Sequence, residues 1–370
     1  MEKKGVGIVG FGFIGRIHAL ALSVLPYAFH ELPFLPEIRG ICTSRPETAQ
    51  KVQQETGIWA TDSLDMLLNN KEIEMVVVAL PNAGHRVVVE KAARAGKAIY
   101  CDKPLALNLE EALAMEKVVK EARIPFGMAF QNRFVPAIQK ARELIDEGKI
   151  GRVFRTRFSY LHSGYVDPAR PLSWRLKKDL SGGGSLWDLG SHLVDLVRFL
   201  LGEPEIVSAR GRTFITERPI APGAKEKEPI EVDDWSLVHF TLPEETEGTL
   251  ETSRFATGSC DEIRIEIEGS KGALRYNSMQ PNFLEFYDLT DSGAPIGGRR
   301  GFKQIETVAQ FPHPYALPGK FAFGWTNAHV ACIHDFILRW SGQKAQGATI
   351  EDGVKVQAFL EEAYQLMGWK

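Results

Sequence analysis

Four cysteines in 370 residues, Cys42, Cys101, Cys260 and Cys332, stand far apart and form no C-x-x-C pair. That scarcity excludes a disulfide scaffold and points to free thiols in a reducing, cytoplasmic compartment. Long apolar runs are also missing. Stretches such as Met75–Leu80 (MVVVAL) are far short of the ~20 residues that span a bilayer. No leader is read ahead of the first apolar strand, because GVGIVG begins at Gly5. Charge of one sign is lacking too: 44 Lys and Arg against 47 Asp and Glu leave a net charge of −3. Neither nucleic acid nor an anionic membrane is therefore expected as the main partner. Arg152, Arg155 and Arg157 cluster, but alternate spacing along a strand reads as one solvated sheet face. His329 and His334 lie on one apparent helix without companions at zinc spacing, so no metal is expected.

The length suits two domains, since single cores rarely grow beyond about 250–300 residues. The first third alternates strands and helices. Val6–Val9 reads as a buried strand, and GFGFIG follows at once, with Gly10, Gly12 and Gly15 around Phe13 and Ile14, then a helical run. A G-x-G-x-x-G between strand and helix is a dinucleotide fingerprint. Its glycines serve a tight turn, a close approach to pyrophosphate and helix–strand packing. Further strands at Ile38–Cys42, Met75–Leu80 and Ala98–Cys101 imply a doubly wound parallel sheet. Ligands then collect at the strands' carboxyl ends, which carry Thr43-Ser44-Arg45, Pro81-Asn82 and Asp102-Lys103-Pro104. An acid after the second strand would bond the ribose hydroxyls of NAD. Hydroxyls and Arg45 stand there instead and suit a 2′-phosphate, so NADP is preferred; NAD serves if Arg45 only stacks on adenine or caps the next helix.

LSGGGSLWDLGSHLVDL, from Leu180 to Leu196, raises a separate question. Leu189, Leu193, Leu196 and Leu200 mark one helical face, and Asp188 and His192 share another, with Asp195 continuing it. Gly182–Gly184 allow a close approach to a neighbouring strand or to a substrate.

The motifs GFGFIGRIHA, ALPNAGHRVVVEKAARAGKAIYCDKPLA, QNRFVPA, LIDEGKIGRV, SWR and GGGSLWDLGSHLVDLVRFLLG occur in that order. In these the chain resembles the glucose–fructose oxidoreductase, inositol dehydrogenase and rhizopine-catabolism (Gfo/Idh/MocA) family. The resemblance is specific from Gly5 to Gly202 and more diffuse to the C-terminus, where GATIEDGVKVQAFLEEAYQ looks like the family's closing helix. It implies an α/β chain: an N-terminal Rossmann domain over 1–126, then an α+β domain over 127–370 with a large open antiparallel sheet. That sheet often pairs face to face, which implies a homodimer or homotetramer. The period-2 alternation in RVFRTRFSYLH, SLVHFTL, EGTLETSRFA and DEIRIEIEGSKGALRY agrees with such strands. Thr216–Glu231, rich in Pro, Lys and Glu, reads as an exposed loop.

The resemblance also implies hydride transfer between nicotinamide and a carbon bearing a sugar or cyclitol hydroxyl. By the family's E-K-P and D-x-G-x-H patterns, Lys103, Asp188 and His192 converge on that hydroxyl, with the glycines bringing the chain close to the nicotinamide. His192 is then the acid/base, Lys103 the donor to the substrate oxygen, and Asp188 a bond to substrate or an orienting group. The family's usual glutamate before the lysine is Asp102 here, which changes its reach. Matching also puts Asn82, His85, Gln131, Trp174 and Arg175 beside the cofactor, although His85 and Trp174 have ordinary packing alternatives. Tyr160, His162 and FPHPYALPGKFAFGW (Phe311–Trp325) are candidates for substrate selection. Two other readings stay open: a glycoside hydrolase that retains NAD and oxidises transiently, and a dinucleotide-sensing regulator without catalysis.

Overall fold

The first strand, β1 (Lys3–Val9), carries no polar side chain from Gly5 onward and is buried there on both faces, and a strand sealed on both faces needs cover on both. The chain supplies it by alternation: α1 (Phe13–Ala28), β2 (Leu35–Cys42), α2 (Pro46–Thr56), β3 (Ala60–Thr61), α3 (Leu64–Asn69), β4 (Met75–Val78), α4 (His85–Arg94), β5 (Ala98–Cys101), α5 (Leu109–Ala122) and β6 (Phe126–Met128). Six parallel strands result, in the order β3-β2-β1-β4-β5-β6. The order reverses beside β1, where such folds bind their ligands. The computed structural model describes residues 1–308 and 321–369.

Contacts divide the chain into two units, and the first takes in Gly324–Gln357 as well as everything up to Phe134. Division by sequence between 126 and 127 would cut β6, whose Phe126, Gly127 and Met128 pair with β5. Returning to that sheet is α9 (Trp325–Trp340). A Cβ at Gly127 would stand 2.6 Å from the Phe336 ring. Arg339 donates to the Phe126 and Ala348 carbonyls at 3.0 and 3.1 Å, and Tyr100 donates to Cys332 Sγ at 3.1 Å.

The second unit holds α6 (Pro136–Asp146), β7 (Val153–Leu161), the short α7 (Lys178–Ser181), α8 (Ser191–Leu201) and β8 (Glu205–Arg212). Strands β9 (Glu217–Pro219), β10 (Lys227–Pro229), β11 (Trp235–Leu242), β12 (Thr246–Ser253), β13 (Glu262–Gly269), β14 (Gly272–Asn277), β15 (Phe283–Asp288) and β16 (Phe302–Glu306) follow. Among the described residues its main sheet has eight strands, ordered β16-β15-β14-β13-β7-β12-β11-β8. It is antiparallel except for the parallel pair β7–β12, so the sheet is mixed. One face buries Phe158, Val238, Phe240, Leu250, Ile265 and Leu274, with α6 and α8 against the strands. Ion pairs lie on the opposite face, Arg155 with Glu268 at 2.9 Å and Arg157 with Glu266 at 3.4 Å, as the alternate arginines suggested.

The stretch expected as an exposed loop at Thr216–Glu231 carries a two-stranded antiparallel ribbon, β9 with β10. It is anchored by Arg218, fully buried, which donates to the carbonyls of Asp167 at 2.7 Å and Tyr165 at 2.5 Å. Last in the chain is α10 (Ile350–Leu366), the closing helix, and the division between units falls within it, between Gln357 and Ala358. No helix among the described residues is long and apolar enough to cross a membrane.

His334 of α9 stacks on Phe29 at 3.5 Å and is buried, which lowers its proton affinity to a pKa of about 4. Below about pH 6.5 the unfolded chain gains a proton that the native imidazole refuses, so this site's stability is full above that pH and is lost towards pH 4. The loss from His334 amounts to about 2 kcal/mol between pH 7.5 and pH 5. Urea unfolding at both pH values should show His334→Leu losing less on acidification than the unaltered chain, by about that amount.

Candidate active site

Each glycine of the first loop has its own reason. Gly10 has a φ of 91°, and a Cβ there would meet the Ala79 carbonyl at 2.3 Å; one at Gly15 would meet the Gly10 carbonyl at 2.1 Å. Those two serve the fold. A Cβ at Gly12 would touch nothing within 4 Å. The fold does not need that glycine, whereas a ligand pressed on the backbone does. Gly12 caps α1 without any side-chain bond, no acid lies in the first turn, and Phe13 stands 70 % exposed beside it. Uncapped N–H groups at the positive end of a sixteen-residue helix suit a pyrophosphate, so the residues present fit a dinucleotide. Ile14 is half-buried.

At the tip of β2, Thr43 is buried and its hydroxyl donates to the Arg45 carbonyl at 3.1 Å. Ser44 and Arg45 are exposed, and Arg45 occupies the cap of α2 with no side-chain bond to it. Beyond β4, Pro81 leads into the turn Asn82–Gly84, with Asn82 buried. His85 lies wholly inside. Its Nε2 faces the Leu80 carbonyl at 3.0 Å and its Nδ1 the carbonyls of Pro104 and Leu105 at 3.1 and 3.2 Å. The ring thus ties the turn after β4 to the turn after β5, where Lys103 stands, and burial depresses its proton affinity. Asp102 accepts from the Lys103 amide at 2.9 Å. Gln131 is buried in the turn Gln131–Phe134.

In the second unit Asp188 lies in a π-helical turn, Leu186–Gly190, that runs straight into α8. Such turns are rare and favour functional sites. Asp188 Oδ2 meets Arg254 Nη2 at 3.0 Å and Arg175 Nε at 3.5 Å. Arg254 is fully buried; its desolvation opposes the charge, and Asp188, Tyr165 and Asp233 together more than restore it, so the net shift is upward. Arg175 also lies over the Trp174 ring, 4.5 Å from the centroid. His192, buried, has its ring centroid 5.7 Å from that of Tyr160. His162 accepts from the Gly164 amide at 3.0 Å, and burial, with Arg254 assisting, lowers its proton affinity. Tyr160, His162, Trp174, Arg175, Asp188 and His192 therefore belong to one neighbourhood. Of the aromatic stretch Phe311–Trp325, residues 311–320 lie outside the described residues.

Two of the three glycines before Asp188, Gly183 and Gly184, press on protein. A Cβ at Gly184 would lie 2.0 Å from the Asp233 carbonyl oxygen, and one at Gly183 2.5 Å from the Tyr364 hydroxyl. This corrects the expectation that they bring the chain towards a cofactor. Asp233, fully buried, gathers the Gly184 amide at 3.0 Å, the Leu186 amide at 2.9 Å, the Ser185 hydroxyl at 2.5 Å, the Ser236 hydroxyl at 2.8 Å and the Tyr364 hydroxyl. Sequence reasoning missed Arg254 and Asp233. The adjacent acids of EVDDW, placed where apolar alternation begins, were the available signal for the second.

Two family models match: an oxidoreductase family with an NAD-binding Rossmann fold over residues 4–130, and the GFO/IDH/MocA C-terminal domain over 138–275. The chain belongs to the Gfo/Idh/MocA family. Levoglucosan dehydrogenase of Pseudarthrobacter phenanthrenivorans is similar at 32% identity, over 98% of this chain and 95% of that protein. A scyllo-inositol 2-dehydrogenase (NAD(+)) of Bacillus subtilis is 30% identical over 78% of each. A solved levoglucosan dehydrogenase in complex with NADH and levoglucosan superposes with a TM-score of 0.92 at 31% identity, covering 99% of this chain and 98% of that one. Like other Gfo/Idh/MocA proteins, this one is an oxidoreductase with an NAD-binding Rossmann fold.

Asp233→Asn would put an NH2 group, which cannot accept, in front of donors that now meet a carboxylate oxygen. It should cost about 2–4 kcal/mol in urea unfolding, because buried donors lose a charged partner.

Proposed function

We propose that the chain moves a hydride between a nicotinamide dinucleotide and a ring carbon bearing a hydroxyl, on a sugar or a cyclitol. Carrying this reading is the built surrounding of Asp188 and His192: a carboxylate between two guanidiniums, one of them fully buried, and an imidazole four residues on. A plain helix start needs no buried arginine. Likeness to levoglucosan dehydrogenase over nearly the whole chain favours a sugar, and the shorter likeness to inositol dehydrogenases keeps a cyclitol in view.

Lys103, Asp188 and His192 act on one hydroxyl. A bound nicotinamide supplies the hydride acceptor for the oxidation. His192 takes the hydroxyl proton as the carbon gives up its hydride and returns it in the reverse direction. Lys103 donates to the oxygen and stabilises its negative charge. Asp188, held by Arg254 and Arg175, orients substrate and imidazole. The loop of Gly10, Gly12, Phe13, Ile14 and Gly15 holds the pyrophosphate. Pro81, Asn82, Asp102, Gln131, Trp174 and Arg175 border the nicotinamide end, and His85 acts there through the turns it ties.

Exposed Ser44 and Arg45 favour a 2′-phosphate and so NADP; the NADH bound to solved levoglucosan dehydrogenase favours NAD. We place the enzyme in the cytoplasm, a setting its free cysteines suit. Its copies associate as a dimer or tetramer through the ion-paired face of the large sheet, which α6 and α8 leave open.

Turnover followed at the reduced-nicotinamide absorbance, over a panel of sugars and cyclitols with each coenzyme, tests the reading. His192→Ala should lower kcat about 10²–10⁴-fold while coenzyme affinity holds; Arg45→Ala should weaken NADP and spare NAD. An unaffected kcat in His192→Ala removes the proton-transfer assignment, and glycoside cleavage without net reduction replaces the reaction. Light scattering should give a mass of two or four chains, and a monomer would contradict the sheet contact.

A further inference from the structure

His18 on α1 and His329 on α9 meet inside the first unit, ring centroids 5.7 Å apart. His18 is fully buried and His329 is 2 % exposed, and none of their four ring nitrogens has a hydrogen-bond partner among the described residues. Tyr100 stands edge-on to His18 at 5.3 Å and Trp325 edge-on to His329 at 4.4 Å. The Tyr100 hydroxyl is spent on Cys332. Elsewhere on the same faces α1 buries Ala21, Leu22 and Leu25, and α9 buries Ile333, Phe336 and Ile337. A leucine would fill either histidine position without leaving a polar atom unmatched.

The charges around the pair come from the turn after β5. Burial lowers the proton affinity of both imidazoles; the Lys103 charge pushes His329 the same way, while Asp102 opposes the shift at His18. Both rings are therefore neutral, each with one N–H donor and one lone pair. Buried groups of that kind find partners, and a water placed among two to four polar atoms is the usual one. One water bonded to a nitrogen of each imidazole would supply a partner to both rings.

We propose that His18 and His329 form a built internal water site at the carboxyl end of β5, and that the hydrated pair fixes the turn bearing Lys103. His329 is then a positioning residue, acting through water on a lysine that itself touches substrate. The positioning half of the proposal rests on the catalytic reading of Lys103, whereas the water site does not.

A crystal structure of the full chain at a resolution that orders internal water should show density within hydrogen-bond distance of a nitrogen on each ring; a dry gap there overturns the site. His18→Leu and His329→Leu should lower kcat about ten- to a hundredfold with the KM for dinucleotide unchanged, the scale expected when a reacting group loses its placement. The pH profile of kcat should shift, and His329→Asn, whose amide still holds a water, should recover part of the rate. Unchanged kcat and pH profile in both leucine variants overturn the positioning role. Lys103→Met assayed in parallel separates the two readings: full turnover there removes the catalytic lysine and the positioning role with it, and the density alone then decides the water site.

Discussion

A single buried carboxylate organises the turn that carries Asp188. Asp233 collects two backbone amides and a hydroxyl from the glycine-rich turn, a second hydroxyl from β11 and a phenol from the C-terminal segment. A carboxylate removed from water is costly unless donors replace its hydration, and here they do. The entry of the chain into the π-helical turn is therefore set by hydrogen bonds to one residue, and the position of Asp188 follows from it. Gly184 leaves no room for a side chain because the Asp233 backbone occupies that space.

Both halves of the proposed site place a buried polar group behind the backbone that carries a candidate residue. His85 packs between the Lys103 turn and the turn after β4, its single N–H donated to a carbonyl of one of them. Arg254 adds a charge partner directly behind Asp188. Groups held this way keep their geometry before any ligand arrives, which is where preorganised electrostatics gains its advantage over water.

Much of this was legible in the residues. The strand–turn–helix around Gly10, Gly12 and Gly15 is local, so its spacing carries its meaning, and the period-2 strands of the second unit announce themselves. The family motifs brought out Lys103, Asp188 and His192 as a set. Asp233 left only the paired acids of EVDDW as a sign, since its partners in the glycine-rich turn stand 47–49 residues away, and Arg254 left none, its partner Asp188 standing 66 away. The glycines before Asp188 announced a close approach but not its object, which at Gly183 and Gly184 is protein. The ribbon inside Thr216–Glu231 escaped notice because its composition is that of a loop, and its anchor is one arginine bonded to carbonyls.

The first sheet takes its last helix from the far end of the chain. Gly127 and Phe336 touch across more than two hundred intervening residues, and α9 lies over β5 and β6. During synthesis the nucleotide-binding strands therefore leave the ribosome long before the helix that seals them, with Tyr100, Phe126 and Met128 uncovered in the interval. Contacts so remote in sequence form late and slowly. The nascent chain must keep an unfinished, water-exposed sheet from aggregating until α9 has emerged, a burden that chaperones exist to relieve.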